Sequence, residues 1–189
     1  MLELMFFMLL LIGLNFYLLT RRYKRCPADK VLVVSGKTAS GASSEIHKGG
    51  GTFVWPVIQE YAFLSLRPFT VKVSIRDAVN EDNHKTSITI KLIAAVGESD
   101  ALLEKAAARL LSMETHQIAA LTENIATGQI RLLIRGMTDE EIHLHHDKLI
   151  ETLYGSIGDE LQKVGLQLIN VDLLETVGDQ ENITHSADA

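Results

Sequence analysis

Lys85-Thr86-Ser87-Ile88-Thr89-Ile90-Lys91-Leu92-Ile93-Ala94-Ala95 and, four residues on, Asp100-Ala101-Leu102-Leu103-Glu104-Lys105-Ala106-Ala107-Ala108-Arg109-Leu110-Leu111 mark where the fold changes character. In the first stretch Ser87, Thr89 and Lys91 alternate with Ile88, Ile90 and Leu92, the period of a half-buried strand. The second is rich in alanine, which favours helix, and Ser99 stands where an N-cap is wanted. Residues 27–96 are expected to be mostly strand, and the chain after Ser99 mostly helix until a closing strand.

Upstream, Lys30 to Ser35 is a short β-branched run ending at Gly36. Gly36 to Gly51 holds five of the thirteen glycines, so turns and short edge strands are expected there. Tyr61–Leu66 and Phe69–Ile75 are predicted strands, punctuated by Pro56 and Pro68, which cannot donate to a central ladder. Residues 27–96 thus form a β-rich lobe.

Downstream, a second helix is predicted from Thr115 to Arg135, with Ile118, Leu121, Ile125 and Leu132 on one face and Gly128 allowing close approach. A third begins at Thr138 and Glu141, a capping box, with Met137 and Ile142 placed as a hydrophobic staple. It is expected to run unbroken through Leu149, Leu153, Ile157 and Leu161, weakened in its middle by Gly155 and Gly158. Leu166 to Leu174 is a strand that returns to a sheet, closing an αβ lobe over residues 97–177. The polar tail, 178–189, is expected to be disordered.

At the other end, Leu4 to Leu19 is sixteen residues without a charge, followed by Arg21, Arg22, Lys24 and Arg25. Such a run spans roughly 24 Å as a helix, short of the roughly 30 Å of a bilayer's hydrocarbon. A secretory signal needs a basic start and a small-residue cleavage site, and an interfacial helix needs a polar face; neither is present. Residues 1–25 are therefore expected to be a membrane anchor with a basic collar, spanning or dipping into one leaflet. Leu4, Phe6, Phe7, Leu11, Phe16 and Tyr17 face lipid in that reading, while Arg21, Arg22, Lys24 and Arg25 hold anionic headgroups. The charge asymmetry puts residue 20 onward in the cytoplasm. Phe53 and Trp55, after Gly49-Gly50-Gly51, are expected to pack in a core; the alternative is that their edge rests on the bilayer.

Residues 1–26 carry net +3, so the remaining chain carries −9 of the overall −6. That acidic body argues against a nucleic-acid partner, which wants a basic face. Ser35-Gly36-Lys37-Thr38 lacks the first glycine of a phosphate-binding loop, since Val31 stands there. His143, His145, His146 and Asp147 cluster on the third helix, and His143, His146 and Asp147 at helical spacing invite a metal, but a solvated helix start is the preferred reading, with no cysteine and no histidine beyond the cluster near to complete a set. Cys26, the sole cysteine, abuts the collar, and no serine sits in a nucleophile elbow. No enzyme, no cofactor and no small-molecule substrate are expected.

Cys26-Pro27-Ala28-Asp29-Lys30-Val31-Leu32-Val33-Val34-Ser35-Gly36-Lys37 and Ile46-His47-Lys48-Gly49-Gly50-Gly51-Thr52-Phe53-Val54-Trp55-Pro56-Val57-Ile58-Gln59 resemble the start of a bacterial flotillin. Ala106–Leu111, Gly128–Arg131 and Val164–Val171 are similar to later segments of the family. The resemblance, over about residues 20 to 178, implies an α+β SPFH (band 7) domain at the inner face of the membrane. It implies no catalytic residues, and homo-oligomers that organise membrane microdomains. Flotillins continue into a long Ala/Glu-rich coiled coil, whereas this sequence stops at Ala189. A truncated paralogue, a fragment, and a subunit forming hetero-oligomers with full-length flotillins stay open. Other members of the superfamily suggest a second class of function, an adaptor regulating a membrane protease or transporter.

Overall fold

The computed structural model describes residues 2–36, 44–53 and 59–178. The chain divides into two compact units, Met1–Ser65 and Leu66–Ala189.

The first unit opens with α1 (Leu2–Arg22), whose leucines, methionines and phenylalanines are adequate helix formers without a β-branched run. Strand β1 (Tyr23–Arg25) pairs antiparallel with β4 (Gly51–Phe53). A separate sheet has the order β3 (Ser44–His47), β2 (Lys30–Gly36), β5 (Gln59–Ser65). Val31, Leu32, Val33 and Val34 are all buried, which is why β2 lacks alternation: a central strand covered on both faces reads as a continuous apolar run.

The second unit is built on β6 (Phe69–Val79), β7 (Lys85–Val96) and β8 (Leu166–Gly178), in the order β6-β7-β8, all antiparallel. Every second residue of β7 from Thr86 to Val96 is buried, as its alternation requires. Helices α2 (Asp100–Leu110), α3 (Thr115–Arg135), α4 (Asp139–Leu144) and α5 (His146–Lys163) follow β7. Helix α3 packs on β6, α5 packs on β8, and the two helices pack on each other. The core lies between them and the sheet: Ile75, Ile88, Ile90 and Leu92 below, Ile130, Ile134, Leu149 and Leu153 above.

The Ser99 cap accepts from the Leu102 N–H at 3.4 Å, and α2 and α3 begin where the sequence puts them. Four expectations need correction. The compact units divide after Ser65, not after residue 96, because β6 and β7 share one sheet with β8, and α3 packs on β6 while α5 packs on β8. The buried face of α3 is Ile118, Thr122, Ala126, Ile130 and Ile134, a strict four-residue stripe; Leu132 is 65% exposed, and a Cβ on Gly128 would touch nothing. The third helix breaks at His145 (φ −116°, ψ 56°), not at its glycines. The Thr138–Glu141 capping box is formed, and α4 is then tied to the β6–β7 turn while α5 follows the sheet, so the chain must change direction between them. Finally, β8 runs past Leu174 to Gly178, which pairs with Thr86, so Gly178 belongs to the sheet.

Two bulges explain the pattern of β8. Thr176, Leu173, Val171, Leu168 and Leu166 oppose Ile88, Ile90, Leu92, Ala94 and Val96, the inward residues of β7. The register shifts between Thr89 and Ile90 and between Ile93 and Ala94 leave Leu174 and Ile169 as extra residues, 52% and 48% exposed.

Candidate membrane-contact site

The first unit places three sequence-predicted features on neighbouring backbone. Helix α1 runs directly into β1, so the collar is helix to Arg22 and strand from Tyr23. Strand β1 then pairs with the segment after the glycines: Tyr23 opposes Phe53, Lys24 opposes Thr52, and Arg25 opposes Gly51. The Cys26 N–H donates to the Gly50 carbonyl at 2.8 Å and extends the ladder by one bond. Gly49 (φ 83°) and Gly50 (φ 77°) turn the chain through the left-handed region, which a side chain would strain.

On α1 the large apolar side chains from Met5 to Tyr17 are exposed around the whole helix, Phe6 at 70% and Phe16 at 69%. Asn15 sits with Met8, Leu11, Ile12 and Phe16 on one shallow depression, so even the polar residue is ringed by apolar atoms. Soluble proteins rarely expose a continuous apolar surface of this kind. Among the described residues no helix is long and apolar enough to cross a membrane. Phe6, Phe7, Leu11, Phe16 and Tyr17 are placed on this surface, with Leu4 on the same helix. Arg21 and Arg22 end α1, and Lys24 and Arg25 lie in β1. Trp55 lies outside the described residues, as do Lys37, Thr38 and residues 179–189.

Cys26 is not part of an exposed surface. Its thiol is buried against Leu32 and Val34, and Sγ donates to the Lys30 carbonyl at 3.0 Å. It acts as a small core residue that fastens the collar to the β2 sheet.

The histidines near α4 do not make the helical metal face that their spacing suggests. The break at His145 puts His143 on α4 and His146 and Asp147 on α5. Among the described residues no group of three or more His, Cys, Asp or Glu is arranged to hold a metal ion. His143 instead points Nε2 at its own helix's Asp139, 3.6 Å away, and that carboxylate also accepts from Asn80 Nδ2 at 3.1 Å. His84 Nδ1 lies 4.0 Å from the other carboxylate oxygen. This hub, with Asp139 N–H donating to Asp82 at 2.7 Å and Glu81 N–H to the Met137 carbonyl at 3.1 Å, is what ties α4 to the β6–β7 turn. Sequence spacing could not show it, because Asn80 and Asp139 are 59 residues apart.

Among known proteins, residues 24–189 match the model of the SPFH domain / Band 7 family. The chain is 25% identical over 178 residues to the flotillin-like protein FloT of Bacillus subtilis (strain 168), covering 86% of this chain and 35% of that protein. It is 26% identical over 157 residues to flotillin-1 of Homo sapiens and to that of Mus musculus, covering 82% of this chain and 36% of each relative. The chain thus spans about a third of the length of these relatives. Mixed α and β structure, and a match extending from the collar through β8, agree: the chain belongs to the SPFH domain / Band 7 family.

Proposed function

We propose that this protein is a membrane-attached scaffold of the flotillin kind, which immerses α1 in lipid and assembles with copies of itself or with longer family members to organise membrane microdomains. The observation that carries the reading is α1 itself, apolar on every side and exposed from Met5 to Tyr17 among the described residues. Burying those side chains removes them from water at about 25 cal/mol per Å², whatever the depth of the helix. Arg21, Arg22, Lys24 and Arg25 then meet the headgroups, and the excess of positive charge on that side sets the body of the protein in the cytoplasm. The backbone pairing of the collar with Gly51–Phe53 supports a contact shared by these two strands. No catalytic residue, cofactor or small-molecule substrate enters this reading.

The test is flotation of the full chain with vesicles of neutral or part-anionic phospholipid. Replacing the four collar cations by Gln should weaken binding to the anionic vesicles by about 1 kcal/mol per cation, and scarcely change binding to neutral ones. Phe6→Asp combined with Phe16→Asp should abolish both. Undiminished flotation of the Asp variant would rule out α1 as the contact.

A further inference from the structure

Helix α1 is exposed from Met5 to Tyr17, yet its faces are not equivalent. Leu4, Met8, Leu11, Asn15 and Leu18 follow one another at steps of four, three, four and three residues, the spacing of the two seam positions of a heptad. Asn15 stands four residues after Leu11 and three before Leu18, so it shares the first seam position, a, with Met8. The shallow depression lined by Met8, Leu11, Ile12, Asn15 and Phe16 lies along this seam. Asn15 brings the one amide of that depression, and the side chains around it offer no more than the Met8 thioether, a weak acceptor.

We propose that α1 pairs within the lipid with α1 of a second copy of this chain, parallel to it and with Asn15 against Asn15. Lipid tails offer an amide no hydrogen bond, so Asn15 needs a polar partner at its own depth. A second copy supplies one without adjustment. Every copy enters the bilayer from its collar, so each Asn15 lies equally deep, and an amide carries both the donor and the acceptor that a like pair exchanges. The a position is also where a single buried Asn fixes the register of two parallel helices. Met8 and Leu11 supply the packing, and a slight left-handed coiling keeps the seam closed over its length. Against the pair stands the meeting of two collars, Arg21, Arg22, Lys24 and Arg25 in each copy, which anionic headgroups between them offset. The proposal rests on the lipid half of the scaffold reading and gives α1 a second task there.

Disulfide formation between copies of the full chain on part-anionic phospholipid vesicles tests it, in a Cys26→Ala background with copper phenanthroline as oxidant. Met8→Cys and Leu11→Cys should each give about tenfold more dimer than Leu9→Cys or Leu10→Cys, which lie at similar depth away from the seam. Adding Asn15→Leu should lower the Leu11→Cys dimer by about threefold to thirtyfold, whereas adding Asn15→Gln, which keeps an amide, should lower it less. Flotation of the same samples reads attachment separately. Equal yields at all four positions in a chain that floats would mean random collision, and would overturn the pairing while leaving the lipid reading standing. An Asn15→Leu chain that cross-links through Leu11→Cys as well as its parent would overturn it too. A chain that does not float with the vesicles would overturn both.

Discussion

Gly165 approaches Ala106 so closely that a Cβ on the glycine would lie 2.3 Å from the Ala106 backbone nitrogen and 2.5 Å from the Leu102 carbonyl oxygen. The turn between α5 and β8 therefore packs backbone to backbone against α2. Gly165 also has φ +87°, and its carbonyl accepts from the Gly97 N–H at 3.1 Å, closing the end of the sheet. A Gly165→Ala chain must both adopt a left-handed backbone and push α2 away. We expect a loss of about 2–5 kcal/mol in urea unfolding. A change under about 0.5 kcal/mol would show that α2 is not held at this distance.

Asp139 is the acceptor that Asn80, a 4% exposed residue, uses for its side-chain amide N–H, while Asn80 Oδ1 accepts from the His84 backbone N–H at 2.8 Å. Asp139→Ala leaves that buried amide without its acceptor. The expected cost is about 1–3 kcal/mol, with faster amide hydrogen exchange concentrated in α4 and the β6–β7 turn. Faster exchange spread evenly over the second unit would instead point to a general loss of stability.

Glu141 links α4 to α5 across the break at His145. The hydrogen bond from Lys148 Nζ at 2.7 Å, then the Thr138 N–H, then the charge of Lys148 hold its carboxyl below the ordinary value. A depressed carboxyl favours the fold at a pH above its unfolded value, and that contribution fades as pH falls through the folded one. Acidification below the ordinary 4.5 should thus loosen the α4–α5 junction. In Glu141→Gln that part of the acid response should vanish, which hydrogen exchange of α4 at successive pH values will reveal. An identical acid profile in both chains would remove the role given to this pair.

Cys26 has its thiol against Leu32 and Val34 and a donor contact to the Lys30 carbonyl, so a maleimide should modify it slowly in the folded chain and rapidly in denaturant. Cys26→Ala should cost about 1–2 kcal/mol through the lost sulfur contacts. Rapid labelling of the folded protein would contradict the burial.

Much of the second unit was legible because its signals are local. Alternation in Lys85–Ala95, the Ser99 cap and the Thr138–Glu141 capping box each act within a few residues, and each appears in the structure. The apolar run of α1 was legible for the same reason, since it needs only composition. Leu132 misled the assignment of α3's inner face because several apolar residues compete for one stripe, and only the partner surface of β6 selects among them.

The sequence by itself determined the order of elements, the apolar helix followed by a basic collar, and membership of a recognisable family, because periodicity, capping and charge asymmetry are properties of neighbouring residues. The tertiary structure alone decided where the chain divides, that β6 and β7 serve the helices, that β1 joins β4, and that the helix breaks at His145. It also decided that the bulges turn Ile169 and Leu174 outward. Those outcomes depend on register and on contacts between residues tens of positions apart, such as Asn80 with Asp139 and Gly165 with Ala106, which no local signal encodes.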